Sequence, residues 1–319
     1  MKIVAFGGGG FIGSAIVDRL LLAGHEVRVF ERTRVLPYRS FDASEPVEWL
    51  TGDMQSPHDI DTALGGMDAV LHLVSTTLPK NSNEDVVFDV QSNLITTLHL
   101  LEAMVVHDIK RIVFISSGGT VYGEPRHLPI DEEHPTNPLV SYGITKLAIE
   151  KYLLLYQRMH GLKPTILRVA NPYGERQRAE TAQGAVGVFL HRALRGQMID
   201  IWGDGDTIRD YLYIGDVADA FVRAFAYDGK KSIFNISSCA GVSLNDLLTE
   251  IERQLGHAVD RRYLPRRPFD VPASVLDNAL ARKELGWVPK IALGDGIMLT
   301  AEWIKRTMEE IPAIIDRKA

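Results

Sequence analysis

Residues 3–13 read Ile3-Val4-Ala5-Phe6-Gly7-Gly8-Gly9-Gly10-Phe11-Ile12-Gly13. Four uncharged apolar residues predict a buried strand, and the glycine run predicts a turn. Beyond it, Phe11–Ala23 places Ile12, Ile16, Leu20 and Ala23 at helical spacing on one face, and Gly24 ends the helix. A strand that passes through glycines into a helix can hold a pyrophosphate. Glycine permits the sharp turn and the close approach of backbone to phosphate. The helix N-terminus offers free N–H groups and the positive end of its dipole. Two spacings overlap here, Gly8-x-Gly10-x-x-Gly13 and Gly7-x-x-Gly10-x-x-Gly13, and the glycine run leaves the choice between them open.

Outward from this turn, short apolar runs alternate with helical patterns. Strands are expected at Glu26–Phe30, Val47–Leu50, Ala69–Leu73, Arg111–Ser116, Pro164–Val169 and Ser232–Ile236. Long helices are expected at Val86–Val106 and Ser141–His160. Such alternation predicts an α/β fold, a Rossmann-like doubly wound parallel sheet covered on both faces. The last third differs. It carries Leu264-Pro265-Arg266-Arg267-Pro268, then Pro272 and Pro289, and an amphipathic helix near Asp295–Met308. A smaller C-terminal α/β lobe is expected there. Residues 1–170 would form the dinucleotide-binding domain, with 211–240 crossing back into it. Residues 171–210 and 241–319 would form the lobe that binds substrate.

Composition narrows the function. The 319 residues hold 35 Lys and Arg against 41 Asp and Glu, a net charge of −6, so no overall field attracts nucleic acid. Cys239 is the single cysteine, which excludes an internal disulfide and a cysteine-rich zinc site. The ten histidines are scattered and no His-Glu-x-x-His occurs, so no metal is expected. No uncharged apolar run approaches a membrane span, and the N-terminus reads as a strand, not a signal peptide. A cytoplasmic protein that binds neither membrane nor nucleic acid is expected.

Candidate site residues follow the strands. Glu31 ends the second strand, where an acid accepts hydrogen bonds from the adenosine ribose and repels a 2′-phosphate, which favours NAD. Arg32 and Arg34 could instead pair with that phosphate. Asp53 follows the third strand and could accept from an adenine amino group. Tyr142-x-x-x-Lys146 places a phenol and an ammonium one helical turn apart. A nearby ammonium is expected to lower the phenol's pKa and make it a usable acid or base. Tyr227 and Lys231 repeat the spacing across an Asp-Gly turn, which cannot hold the two side chains together. Hydroxyls of the turn Ser116-Ser117-Gly118-Gly119-Thr120 would end at the carboxyl edge of the sheet, where ligands bind in open α/β folds. His72, within an apolar strand, is expected to be a packed core residue.

These residues, taken in chain order, resemble the extended short-chain dehydrogenase/reductases of the nucleotide-sugar epimerase branch, and most of all the UDP-glucose 4-epimerases. The marks are Gly7-x-x-Gly10-Phe11-Ile12-Gly13, Gly52-Asp53, His72-Leu73, Asn93, Ser116–Gly123, Tyr142-x-x-x-Lys146, Asn171-Pro172-Tyr173-Gly174, Gly203-Asp204-Gly205, Arg209-Asp210-Tyr211, Asp216-Val217 and Arg267-Pro268-x-Asp270. The resemblance implies bound NAD, held by the glycine turn with Phe11 and Ile12, by Glu31, Arg32, Asp53, Met54, Leu73, Asn93 and Ser116, and by Tyr142 and Lys146. It implies that Tyr142 is the acid/base at the sugar 4-hydroxyl, that Lys146 tunes it, and that the reaction is transient C4 oxidation of a UDP-hexose to a 4-keto sugar. It assigns Asn171 to a substrate phosphate, Arg209 and Arg267 to the pyrophosphate, and Asp270 to the uridine ribose. Thr120, Ile201, Trp202 and Tyr211 would line the substrate.

Ser274 falls at a size gate that is a bulky Tyr in members restricted to UDP-glucose and UDP-galactose. A small residue there implies that UDP-GlcNAc and UDP-GalNAc also enter. The sequence departs from the pattern at Phe6, often Thr, and, counted from Thr120-Val121-Tyr122-Gly123, at Gly118, the usual position of the catalytic Ser or Thr; counted back from Tyr142 that position falls on Ser117. Ser117 is expected to supply that hydroxyl, with Thr120 as the rival. The turn lacks the Asp-Glu pair of the 4,6-dehydratases. A UDP-glucuronate 4-epimerase and a non-catalytic dinucleotide-binding protein of the same fold are the alternatives. The resemblance further implies a homodimer through Val86–Val106 and Ser141–His160, and a role in supplying sugar donors for cell-surface polysaccharide.

Overall fold

The computed structural model of the chain describes residues 1–177, 184–266 and 271–316, the last eight of these by their backbone alone. Seven parallel strands form the main sheet: β1 (Lys2–Phe6), β2 (Glu26–Glu31), β3 (Val47–Thr51), β4 (Ala69–His72), β5 (Arg111–Ser117), β6 (Lys163–Val169) and, further along the chain, Ile233–Ile236. Each expected strand is present, with bounds within one residue. The order across the sheet is β3-β2-β1-β4-β5-β6 and then Ile233–Ile236. It reverses between β1 and β4, the point at which open α/β sheets bind ligands beyond the carboxyl ends of their strands. β1 is fully buried from Ile3 to Phe6, as a central parallel strand should be.

Helices α1 (Phe11–Leu22), α2 (Pro57–Leu64), α3 (Val86–Asp89), α4 (Thr96–Val106) and α5 (Ser141–His160) connect these strands. On α1, Ile16 and Leu20 are buried as expected, together with Val17. Ala23 instead closes the helix as its exposed C-cap. Val86–Val106 is helical throughout, as expected, and a wider π turn at Val90–Ile95 joins α3 to α4 within it. Four polar side chains bond main-chain carbonyls there: Ser92 to Phe88 (2.6 Å), Asn93 to Asp89 (3.0 Å), Thr96 to Ser92 (2.8 Å) and Thr97 to Asn93 (2.6 Å). Side chains that compete for helix carbonyls favour such a turn, often at a functional position.

The C-terminal part adds β7 (Asn171–Tyr173), α6 (Ala185–Leu194), β8 (Ile199–Trp202), β9 (Ile208–Tyr213) and α7 (Ile214–Ala226). After β10 (Ile233–Ile236) come β11 (Gly241–Ser243), α8 (Leu244–Leu255), β12 (Arg261–Leu264), β13 (Ala273–Ser274), α9 (Ala279–Leu285) and α10 (Leu293–Asp316). β9 is the hub of a small sheet, flanked by β11 and β13 and joined by β7, while β8 pairs with β12. The chain does return to the main sheet, because β10 pairs with β6. α7 packs beside α1, and one continuous core runs from Ile3 and Val29 through Phe221 to Trp287 and Ile297. The two parts therefore share a hydrophobic interior.

Candidate active site

The glycine turn follows β1. Gly7 has φ +86°, a conformation that favours glycine. A Cβ on Gly13 would lie 2.1 Å from Gly7 O, so only glycine lets α1 pack against the turn. Gly8 and Gly9 face inward, against Val29 and Trp49. Gly10 caps α1 with φ −74°, and a Cβ there would meet only Gly7 O, at 3.5 Å. Thus Gly7 and Gly13 shape the turn, and its open side lies at Gly10. No acid occupies the first turn of α1, which keeps the dipole end favourable for an anion.

The other expected contacts gather at the same strand ends. Glu31 Oε1 accepts the Gly9 N–H at 2.9 Å, which fixes the carboxylate beside the turn. Arg32 is exposed next to it. Asp53 is exposed after β3; its carboxylate accepts the Gln55 N–H at 2.9 Å, and its own N–H donates to Asp59 at 2.8 Å. Met54 is buried in the cluster around Phe6 and Phe30. The Leu73 N–H donates to Phe6 O at 3.0 Å, and the half-buried side chain follows β4. Asn93 turns its amide inward. Its oxygen accepts the Thr76 N–H (2.9 Å), and its nitrogen donates to Thr77 Oγ1 (3.1 Å) and Asp89 Oδ1 (3.0 Å). It therefore holds the loop after β4.

Tyr142 and Lys146 share a face of α5. The Lys146 ammonium donates to Ile115 O at 3.1 Å and lies 4.7 Å from the Phe114 ring centroid and 5.7 Å from that of Tyr142. The start of α5 is capped from elsewhere, because its N-cap Val140 has no side chain to do so. Asn83 Oδ1 accepts the Ser141 N–H at 2.9 Å, and Ser82 Oγ accepts the Tyr142 N–H at 3.0 Å. Asp89, fully buried, accepts the hydroxyls of Ser141 (2.6 Å) and Thr145 (2.7 Å), and that of Thr77.

The electrostatics differ from the expectation for Tyr142. Burial, and secondarily the Asp89 carboxylate, push its pKa up to about 12. Burial lowers Lys146 to about 8, against upward pulls from Asp89 and Glu150. The ammonium bonds a carbonyl and not the phenol, so in the protein alone desolvation outweighs its attraction for a phenolate. His72 is buried and neutral, as expected of a core residue. Burial and the Lys146 charge bring it down to about 3, and its ring bonds Thr97 at 2.9 Å.

The turn after β5 lies against α5. A Cβ on Gly143 would sit 2.8 Å from Thr120 O, so glycine in the first helical turn admits the contact. Ser117 is half-buried at the end of β5, and Thr120 Oγ1 is buried without a partner among the described residues. Ser116 points the other way. Its hydroxyl donates to Glu150 at 2.5 Å, and Glu150 pairs with Arg168 at 2.6 Å inside the protein. Arg168 donates to Tyr122, which donates to Asn235.

On the substrate side, β7 and β9 set Asn171 opposite Tyr211, and the Asn171 amide donates to Asp210 O at 2.9 Å. Arg209 donates to Ile208 O (2.8 Å) and Val271 O (2.9 Å). The Tyr211 hydroxyl is buried without a hydrogen-bond partner among the described residues, and burial raises its pKa. Ser274, buried, pairs with Arg209 through β13. Ile201 is wholly buried on β8, while Trp202 beside it is 39% exposed. Arg267 and Asp270 lie outside the described residues.

The sequence from residue 3 to 237 matches the NAD dependent epimerase/dehydratase family. The chain belongs to this family. It is 35% identical over 314 residues to the UDP-glucose 4-epimerase of Mycolicibacterium smegmatis, covering 96% of this chain and 99% of that one. Its fold is similar to that of the Thermotoga maritima UDP-glucose 4-epimerase solved with UDP-glucose, with TM-score 0.91, 33% identity, and 97% and 100% of the two chains covered. It is also similar to the UDP-N-acetylglucosamine 4-epimerase of Methanobrevibacter ruminantium, solved with UDP-N-acetylmuramic acid. That match has TM-score 0.89, 26% identity, and 96% and 98% coverage.

The site fits the family's cofactor. Gly10 leaves room that any Cβ would narrow, the helix end carries no acid, and Glu31 stands at the turn where NAD presents its ribose. Sequence reasoning missed Ser82, Asn83, Asp89 and the Glu150–Arg168 pair. Glu150 had a signal, since it lies four residues beyond Lys146 on the same face. The others come from distant segments and had none.

Proposed function

We propose that this family member is a 4-epimerase that interconverts UDP-hexoses, UDP-glucose with UDP-galactose and UDP-GlcNAc with UDP-GalNAc. One observation carries the reading: Tyr142 and Lys146 share a face of α5, beside the Ser117–Thr120 turn, at the same sheet edge as the glycine turn. Bound NAD supplies acceptance and return of hydride at C4. Tyr142 exchanges the proton of the sugar 4-hydroxyl. A phenol at about 12 is a poor base at neutral pH, so positive charge must be added near it before it can act. The cationic ring of NAD⁺ has the right sign and would add to the Lys146 ammonium already in place. Ser117 donates to or accepts from the same oxygen.

Asn171, Arg209, Tyr211, Trp202 and Thr120 contact the nucleotide sugar in this proposal, with Arg267 and Asp270 completing its grip. Ser274 supports the broader sugar range, being small at the position of the size gate. The absence of carboxylates from the Ser116–Thr120 turn disfavours elimination, because no acid is placed to donate a proton.

A homodimer is proposed through α4 and α5. Ile144, Leu155 and Met159 on α5, with Ile95 and Val106 around α4, are exposed apolar residues. α4 and α5 pack side by side, and exposed apolar residues gathered on neighbouring helices support an interaction face. No helix among the described residues is long and apolar enough to cross a membrane. A cytoplasmic enzyme that supplies sugar donors for polysaccharide is the setting proposed. The test is to incubate the purified protein, without added NAD, with UDP-GlcNAc and follow the anomeric protons by NMR. Appearance of UDP-GalNAc supports the activity and the open gate. Turnover of UDP-glucose alone would confine the range, and silence on UDP-GlcNAc, UDP-glucose and UDP-glucuronate would refute catalysis.

A further inference from the structure

Counted from Thr120-Val121-Tyr122-Gly123, Gly118 falls where the family pattern carries a catalytic Ser or Thr. The structure supplies a steric reason for its lack of a side chain. A Cβ built on Gly118 would lie 2.2 Å from Leu276 Cδ1 and 3.3 Å from both Leu276 Cγ and Arg168 O. Carbon atoms in favourable contact are about 3.5–4.0 Å apart. The end of a leucine can usually rotate aside, but here it has nowhere to go. Leu276 is 1% exposed and packs with Val121, Tyr122, Ile130 and Ala170.

Its backbone is held as firmly. The Leu276 N–H donates to Asp210 Oδ2 (3.3 Å), and its carbonyl accepts the Ser237 hydroxyl (2.9 Å). On either side, the Ile130 N–H donates to Val275 O and the Asp277 N–H to Ile130 O, both at 2.8 Å. Two residues earlier, Ser274 pairs with Arg209 in the substrate-side sheet. One short segment thus touches the catalytic turn and the substrate side together. Gly118 in turn donates its N–H to Val169 O at 2.9 Å, which ties the turn to β6.

We propose that Leu276 is a positioning residue: seated in the notch left by Gly118, it sets the path of the Ser117–Thr120 turn and makes Ser117 the hydroxyl presented to Tyr142. The inference rests on the epimerase reading of this site. Leu276 touches neither substrate nor cofactor in this role. It keys the segment that carries Ser274 to the turn that carries the reacting hydroxyl.

The test is a double-substitution cycle in the holoenzyme with its own bound NAD. Gly118→Ala alone forces the turn away from Leu276. We expect kcat to fall about 100-fold, the scale of a misplaced reacting group, with KM for UDP-glucose little changed. Leu276→Ala vacates the notch, so adding it to Gly118→Ala should restore kcat to that of Leu276→Ala alone. Gly118→Ser combined with Leu276→Ala should also recover activity lost in Ser117→Ala, because the new hydroxyl has room. Wild-type kcat in Gly118→Ala, or losses that simply multiply in the double variant, would overturn the proposal.

If Gly118→Ala alone does not fold, the comparison of the double variant with Leu276→Ala still decides. Equal kcat supports the proposal and a further loss refutes it. Thermal melting gives the same cycle without turnover. A protein that converts no UDP-sugar would count against the activity, while absence of coupling in the melting cycle would count against the Leu276 contact.

Discussion

At the carboxyl edge of the main sheet, Gly7, Glu31, Asp53, Leu73 and Ser117 sit at or just beyond the ends of successive strands. A parallel sheet brings such positions together automatically, because every strand ends on the same side. On the substrate side, Asn171, Arg209, Tyr211 and Ser274 lie within strands β7, β9 and β13, which converge only because β9 pairs with each of the others. The first region builds its site from chain direction, the second from side-by-side pairing. The first should therefore fail through local backbone and chemistry, and the second through ligand affinity.

The sharpest break is at the chemistry itself. Tyr142→Phe keeps the ring and removes the hydroxyl, so kcat should fall on the order of a thousandfold, with bound NAD unchanged when released and measured by absorbance. Unchanged turnover would remove Tyr142 from the reaction. The glycine turn comes next. Gly13→Ala places a methyl group 2.1 Å from a main-chain oxygen, so stability should drop by about 3 kcal/mol and the protein should purify without NAD. Denaturant unfolding and cofactor content check it.

The substrate side should respond differently. Arg209→Ala should raise KM for UDP-glucose about ten- to hundredfold, the value of a charged hydrogen bond, and leave NAD content intact. A loss of NAD instead would erase the contrast between the regions. Lys146 separates stability from function. Burial lowers its pKa from 10.5 to about 8, so the folded chain holds the ammonium less readily than the unfolded chain does. Lys146→Met should abolish turnover in the NAD-bound enzyme and, in cofactor-free protein, stabilise the fold by about 2 kcal/mol, after allowing for the lost bond to Ile115. That gain is full below pH 8 and fades as pH rises toward 10.5, which unfolding at pH 7 and pH 10 would reveal.

The last effect is absent at neutral pH and concerns His72, held neutral by burial with its pKa near 3 instead of 6.5. Its contribution is present above pH 6.5 and is lost as pH falls toward 3, at up to about 1.4 kcal/mol per pH unit. His72→Phe should flatten the acid limb of the Tm profile. The Thr97 hydroxyl would keep its bond to Asn93 O at 2.6 Å, so the substitution strands no donor.

The same contrast governs what could be read without coordinates. Apolar runs and glycine spacing located each strand of the main sheet, the turn and the Tyr142–Lys146 face, because these depend on residues near one another in the chain. The Val86–Val106 helix was legible, but the π turn within it was not, since the apolar pattern concealed Ser92, Asn93, Thr96 and Thr97 competing for carbonyls. The phenol was misread in its charge state. Spacing showed an ammonium one turn away, but only the packed structure showed the ammonium bonded to Ile115 and the phenol desolvated near Asp89.

Sequence alone therefore determined the parallel α/β frame, the dinucleotide turn and the Tyr–Lys pair. Each rests on local periodicity and on residue types with few conformational alternatives. Tertiary structure decided which glycines shape the turn, which segment caps the catalytic helix, and why position 118 carries no side chain. Those depend on where Ser82, Asp89 and Leu276 arrive after the chain has crossed the fold, and close packing between distant segments leaves no pattern within either one.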